Sequence, residues 1–122
     1  MKKESQVMMQ LDIRSRSVAV TSELRRHIDR RVGQALNRFE QHVGSVQIAL
    51  TDINGPKGGP DKVCRLTVVL AGCEQVAVTE YGSNLFRIVD RVADRVKQRV
   101  SSVLEKVRRF DPTRSIRTAE SS

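Results

Sequence analysis

Four arginines, Arg87, Arg91, Arg95 and Arg99, recur at every fourth position of the stretch NLFRIVDRVADRVKQRV. Residues four apart are neighbours on a helix, and like charges placed there repel by roughly 0.2–0.5 kcal/mol per pair. A guanidinium is a planar, permanently charged fork of donors that matches the geometry of a phosphate. The chemistry offered by such a row is neutralisation of a phosphate backbone, which releases counterions and makes binding salt-dependent. A bound polyanion would relieve the mutual repulsion, so reversing Arg91 and Arg95 to glutamate is expected to leave the thermal midpoint unchanged or raise it. The competing reading is a solvated helix face that is charged for solubility.

No other set of residues assembles a reaction. GPKGGP, Gly55 to Pro60, lacks the GK[ST] ending of a phosphate loop and does not lead into a helix, so it reads as a surface loop. Lys57 and Lys62 flank it and are candidate backbone-phosphate contacts. His27 and His42 sit on or beside a basic helix, and no nucleophile lies in register with them. Asp52 and Asp61 flank the loop and read as turn residues. Cys64 and Cys73 lack CxxC spacing, and the two histidines do not complete a zinc site. Neither a metal, a cofactor nor a small-molecule substrate is expected, and the chain reads as non-enzymatic.

The chain has 122 residues, which bounds it to one domain, and its 22 Lys and Arg against 14 Asp and Glu leave a net charge of +8. That balance suits a polyanion, either nucleic acid or an acidic membrane. Aromatic residues are scarce, with one Tyr, three Phe and no Trp. Single-strand binders stack bases on more flat side chains than this, so phosphate contact or the shape of a folded RNA fits better. No apolar run has signal-peptide or membrane-spanning length, so the expectation is a cytoplasmic protein with no membrane partner and with free thiols.

The elements that would position the arginines follow from periodicity. MQLDIR alternates through Met9, Leu11 and Ile13, as a half-buried strand does. Thr21 or Ser22 caps a helix whose apolar face is Leu24, Ile28, Val32, Ala35, Leu36 and Phe39, with Gly44 as its terminator. SVQIALTDI, KVCRLTVVLAG and EQVAVTE alternate again and predict an antiparallel meander with one wet face, Gly72 lying in a turn. A last helix runs from a Ser83 cap to about Arg109. Its stripe is Leu85, Ile88, Val89, Val92, Val96, Val100, Val103 and Val107, and Asp111-Pro112 ends it.

The predicted order is β-α-β-β-β-α. The economical packing is an α+β two-layer sandwich, both helices on one face of a four-stranded sheet. Residues 8–109 form the expected domain, 1–7 a flexible N-terminus and 110–122 a disordered tail. At 100° per residue, Arg87, Arg91, Arg95, Arg99 and Lys106 share one outer flank of the last helix, with Asp90 and Asp94 on the other side. Arg26, Arg30, Arg31 and Arg38 share an outer arc of the first helix with His27 and Gln34. Helices lying side by side would place two basic stripes on one face of the domain, the footprint of an RNA-phosphate surface.

MQLDIRSRSVAVTSELRRHIDRRV resembles the opening of the ribosome hibernation-promoting factor family, also called ribosome-associated inhibitor or sigma-54 modulation proteins. NLFRIVDRVADRVKQRV resembles that family's last helix. TDINGPKGGPDKVC is similar to the loop of a divergent branch of short members. The resemblance spans about Met8 to Arg109. It implies the same β-α-β-β-β-α fold, and binding to the small ribosomal subunit in the channel used by messenger and transfer RNA, silencing idle ribosomes. It also implies that both helices supply basic residues to ribosomal RNA. Arg25 and Arg31 match basic positions of the first helix, Asp90 matches the family's Asp or Asn, and Arg95 matches its Lys. Departures are Asn84-Leu85-Phe86 for Asp-Met-Tyr, Gln98 for a usual Arg, Arg99 for a usual Gln, and Gln34 at a basic position.

Three further readings stay open beside a ribosome-binding stress factor. They are a general binder of structured RNA, a basic protein-interaction module without RNA affinity, and an enzyme of unrecognised type.

Overall fold

A computed structural model describes residues 11–53, 61–71 and 74–110. The expectations about Met9, Lys57, Gly72, Cys73, Pro112, the two chain ends and the side chain of Val107 lie outside what is described. The observed elements are β1 (Leu11–Arg16), α1 (Ser22–Leu36), a 3-10 segment (Asn37–His42), β2 (Val43–Asp52), β3 (Lys62–Leu70), β4 (Gln75–Gly82) and α2 (Leu85–Phe110). This is the predicted β-α-β-β-β-α order.

The four strands form one sheet in the order β1-β2-β3-β4. β1 runs parallel to β2, the usual consequence of a helical crossover between two strands. β2, β3 and β4 form the antiparallel meander. Strand alternation puts Val46, Ile48 and Leu50, then Cys64, Leu66, Val68 and Leu70, then Val76 and Val78 on one buried face. Leu24, Ile28, Val32, Ala35 and Leu36 of α1 and Ile88, Val89, Val92, Ala93, Val96 and Val100 of α2 close over that face in a single core. Gln47 and Arg65 are exposed on the opposite face, with Arg14 beside them in the same sheet. The α+β two-layer sandwich is therefore the fold, with one wet sheet face.

Three local expectations are corrected. Gly44 does not stop the first helix. Regular α-helix ends at Leu36, and the chain continues as the 3-10 segment that buries Phe39. Gly44 instead lies in β2 where the register with β3 shifts, and a Cβ there would sit 3.2 Å from the Val69 carbonyl oxygen. It is a close-approach glycine of a bulged strand rather than a helix stop. Arg38 belongs to the tighter 3-10 turn and so leaves the angular arc of α1. The cap of α2 is Asn84 and not Ser83: its Oδ1 accepts from the backbone N–H groups of Phe86 (3.0 Å) and Arg87 (3.3 Å). At the first helix, Thr21 Oγ1 accepts from Leu24 N at 3.1 Å, as the sequence suggested.

Candidate nucleic-acid interface

α2 lies between α1 on one side and β4 on the other, and the two flanks carry opposite charge. On the α1 side stand Asp90 and Asp94. Arg31 of α1 donates through Nε to Asp90 Oδ1 (2.8 Å) and through Nη2 to Asp94 Oδ1 (3.2 Å) and the Asp90 carbonyl (3.5 Å). His27 Nε2 lies 2.8 Å from the same Asp90 oxygen, so this nitrogen carries the proton it donates. Arg30 Nη2 is 3.3 Å from the other ring nitrogen of His27, and the Phe86 ring packs on that imidazole with centroids 5.0 Å apart.

These contacts tie the helices together and have electrostatic consequences. Burial pushes the Asp90 carboxyl up, but hydrogen bonds from Arg31 and His27 together outweigh it and hold the group below its ordinary range. The bond to Asp90 raises the Arg31 guanidinium further, against the opposing effect of burial. Arg31 is only 26% exposed, and its Nε and Nη2 donate to the two aspartates of α2. The two basic stripes expected to merge on one face are thus parted by an aspartate pair, because the acidic side of α2 is the side that meets α1.

On the β4 side lies the arginine row. Arg91 donates through Nε to Glu80 Oε1 (3.3 Å) and through Nη2 to the Tyr81 carbonyl (2.9 Å). Arg95 donates through Nη1 to Glu80 Oε2 and to the Thr79 carbonyl (3.5 Å). Thr79 and Tyr81 belong to an edge strand, so the two guanidiniums also cap carbonyls that would otherwise offer themselves to another strand. Gly82 permits this close approach: a Cβ there would meet Ile88 Cγ1 at 3.0 Å and Arg91 Nη2 at 3.2 Å. Hydrogen bonding from Arg95 holds the Glu80 carboxyl below its ordinary value, with burial opposing and Arg91 assisting.

Glu80 was missed by sequence reasoning. The available signal was its place in QVAVTEYG, in step with Val76 and Val78 on the buried face of β4. A charged residue at an inward strand position requires a counter-charge. The arrangement also reverses one expectation. Glu80 is paired with both Arg91 and Arg95, so the expected effect of replacing both by glutamate becomes destabilisation of the fold.

The remaining candidates divide by contact. Arg87, Arg99 and Lys106 are exposed along the same helix, and Arg25, Arg26 and Arg30 are exposed on α1. Arg38 lays its guanidinium over the Phe39 ring, 5.2 Å from the centroid. Lys62 is held at the base of the loop by Asp61 Oδ2 (2.9 Å) and Asp52 Oδ2 (3.6 Å). Its hydrogen bond with Asp61 lowers that carboxyl and raises the Lys62 ammonium. Cys64 is fully buried, and burial, with the charge of Glu80 added, pushes its thiol up to about 12. It is a core residue and carries no nucleophilic thiolate at neutral pH. Among the described residues no cluster of three or more His, Cys, Asp or Glu is placed to hold a metal ion, and no helix is long and apolar enough to cross a membrane.

Solved structures share this architecture. The crystal structure of Thermus thermophilus Protein Y N-terminal domain superposes with a TM-score of 0.63 at 21% identity, over 78% of this chain and 99% of that one. A ribosomal subunit interface protein from Coxiella burnetii superposes with a TM-score of 0.66 at 16% identity, over 80% of this chain and 99% of that one. At such identities the likeness speaks for the fold. No curated protein sequence matches the chain. A family model described as sigma 54 modulation protein / S30EA ribosomal protein matches residues 11–108, nearly all of the described sandwich. With the whole sheet, α1 and all but the last two residues of α2 falling inside that match, the chain belongs to the sigma 54 modulation protein / S30EA ribosomal protein family.

Proposed function

We propose that this protein is a non-enzymatic, cytoplasmic ribosome-associated factor. It binds the small subunit through ribosomal RNA and silences or protects idle ribosomes under stress. The observation that carries the reading is the outer flank of α2. There Arg87, Arg91, Arg95 and Arg99 are all exposed along one side of a rigid helix. The helix rises about 1.5 Å per residue, so successive arginines stand about 6 Å apart along the axis and can meet successive acceptors along an extended polyanion. Family membership supports ribosome association; the basic flank supports RNA phosphate as what is touched. Arg25, Arg26 and Arg30 on α1 extend the contact across the helix layer, with Arg38, Lys57, Lys62 and Lys106 as peripheral contributors. Arg31 supports the surface indirectly, by fixing α1 against α2.

Cosedimentation with purified small and large subunits on sucrose gradients tests the proposal, with random duplex RNA as competitor. The expected result is comigration with the small subunit that excess duplex does not displace. Displacement at stoichiometric duplex would favour a general structured-RNA binder. Absence of binding to either at physiological salt would leave a basic protein-interaction module.

A further inference from the structure

Within the arginine row the four side chains are not equivalent. The side chains of Arg87 and Arg99 make no hydrogen bond or ion pair among the described residues, whereas those of Arg91 and Arg95 are each held at two points on β4. One carboxylate, Glu80, takes one bond from each guanidinium, on separate oxygens. Glu80 itself is rooted in a strand and only 19% exposed, while the two arginines remain 50% and 51% exposed. A guanidinium has five N–H donors. Arg91 spends one Nε and one Nη2 hydrogen inward, and Arg95 spends its two Nη1 hydrogens. About three donors on each stay available to an outside acceptor.

We infer that Glu80 is a positioning residue that turns Arg91 and Arg95 into a preformed clamp for a single RNA phosphodiester. The inference rests on the RNA-binding reading of this flank and names the part of the ligand it holds. Two guanidiniums and one carboxylate sum to one positive charge, which matches the single negative charge of a phosphodiester. A bare pair of arginines would attract polyanions more strongly but less selectively, since each side chain would have to be ordered on binding. Fixing both to a strand meets that cost during folding. It also sets the separation and aim of the outward donors, which is where recognition of one phosphate in a folded RNA gains over general attraction. Arg87 and Arg99, free at either end of the row, supply the general attraction.

The test compares the parent with Glu80→Gln and Glu80→Asp, each first checked for folding by circular dichroism. Affinity is then measured for the small ribosomal subunit and, separately, for random duplex RNA. Glu80→Gln raises the net charge by one, so binding to random duplex should hold or rise. Binding to the subunit should fall by about five- to twentyfold if organisation is what was lost. Glu80→Asp keeps the charge but shortens the reach by one methylene. It should lose subunit affinity as well, which a purely electrostatic or structural carboxylate would not require. In the parent, NMR relaxation of the arginine Nε–H groups should find Arg91 and Arg95 ordered and Arg87 and Arg99 mobile; equal mobility along the row would overturn the inference even without variants. So would a Glu80→Gln protein that binds the subunit as tightly as the parent or more so. A parent that binds no subunit removes the functional proposal, whereas a binding parent with an unaffected variant removes only the clamp.

Discussion

The two flanks of α2 use the same side chain for different ends. At the seam with α1, a single arginine, Arg31, faces two aspartates with His27 alongside, and its charge is consumed internally. At the margin over β4, two arginines face one glutamate, and one positive charge is left over and exposed. The difference lies in the ratio of partners and not in the number of arginines. Counting basic residues on a helical wheel would weight Arg31 and Arg91 alike, yet one is a bolt between helices and the other a half-free contact. Exposure follows the same division, at 26% for Arg31 and 50% for Arg91.

The largest effect that would sharpen this contrast is ionic strength. If about four to six phosphates are neutralised by the β4-side row and the exposed arginines of α1, subunit affinity should fall roughly a hundredfold or more between 50 and 200 mM salt. The seam pairs are in direct contact and individually worth little, so their screening should move stability far less. Thermal melts over the same salt range should therefore move little while binding collapses. A flat binding response would count against a phosphate-dominated interface on either flank.

Replacing Asp90 and Asp94 together by asparagine inverts the comparison at the seam. Arg31 loses both counter-charges, and stability should drop by about 1 kcal/mol, a figure kept small because Asp90 and Asp94 are substantially solvated. Subunit affinity should hold or rise a few-fold as the local field becomes more positive. A steep loss of affinity in this variant would mean that the aspartates themselves contact the ligand.

Acid should weaken both flanks together. Glu80 and Asp90 have folded values depressed below their ordinary 4.5 and 3.8. Groups shifted in that direction contribute stability that is fully present above the ordinary value and is lost as pH falls through the folded value. Thermal midpoints should therefore be level from neutrality to about pH 5 and decline below about pH 4. In Glu80→Gln the decline should be shallower than in the parent, and an identical acid limb would separate Glu80 from the stability of the fold.

The smallest effect belongs to the free ends of the row. Arg87→Ala or Arg99→Ala should change stability by no more than about 0.5 kcal/mol, as surface substitutions do, and lower the salt slope of binding by about one. Either change costing stability on the scale of Arg91→Ala would erase the distinction between held and free arginines.

Much of this architecture is legible in the residues. Period-two alternation in SVQIALTDI and KVCRLTVVL, and the valine stripe of α2, place the strands, helices and core because burial on one face leaves few other patterns. The sidedness of α2 was legible too, since 100° per residue separates Arg91 from Asp90. What each side touches was not. Glu80 meets Arg91 and Arg95 only because β4 is the sheet edge beneath α2, and Arg31 meets Asp90 only because α1 lies on the other side. Those are facts of tertiary placement that no local spacing encodes. The end of α1 failed for a different reason. A glycine after a helical pattern has two uses, and at Gly44 the close approach of Val69 selected the strand bulge. Asn84 for Ser83 is a one-residue error of cap: both side chains carry a capping oxygen, and only the placement of the first helical turn decides which one is used.

The most direct test of the central claim is the equilibrium affinity of Arg91→Glu/Arg95→Glu for purified small subunits, set beside Arg31→Ala, with both proteins verified as folded at the temperature of the assay. If the β4-side flank is the RNA surface, the double variant loses affinity on the order of a hundredfold, since two phosphate contacts become two repulsions. It also melts below the parent, because Glu80 then faces carboxylates and the carbonyls of Thr79 and Tyr81 lose their donors. Arg31→Ala should melt lower while keeping affinity within a few-fold of the parent. A folded Arg91→Glu/Arg95→Glu protein that binds subunits as tightly as the parent would contradict the account and return the row to a solvated face.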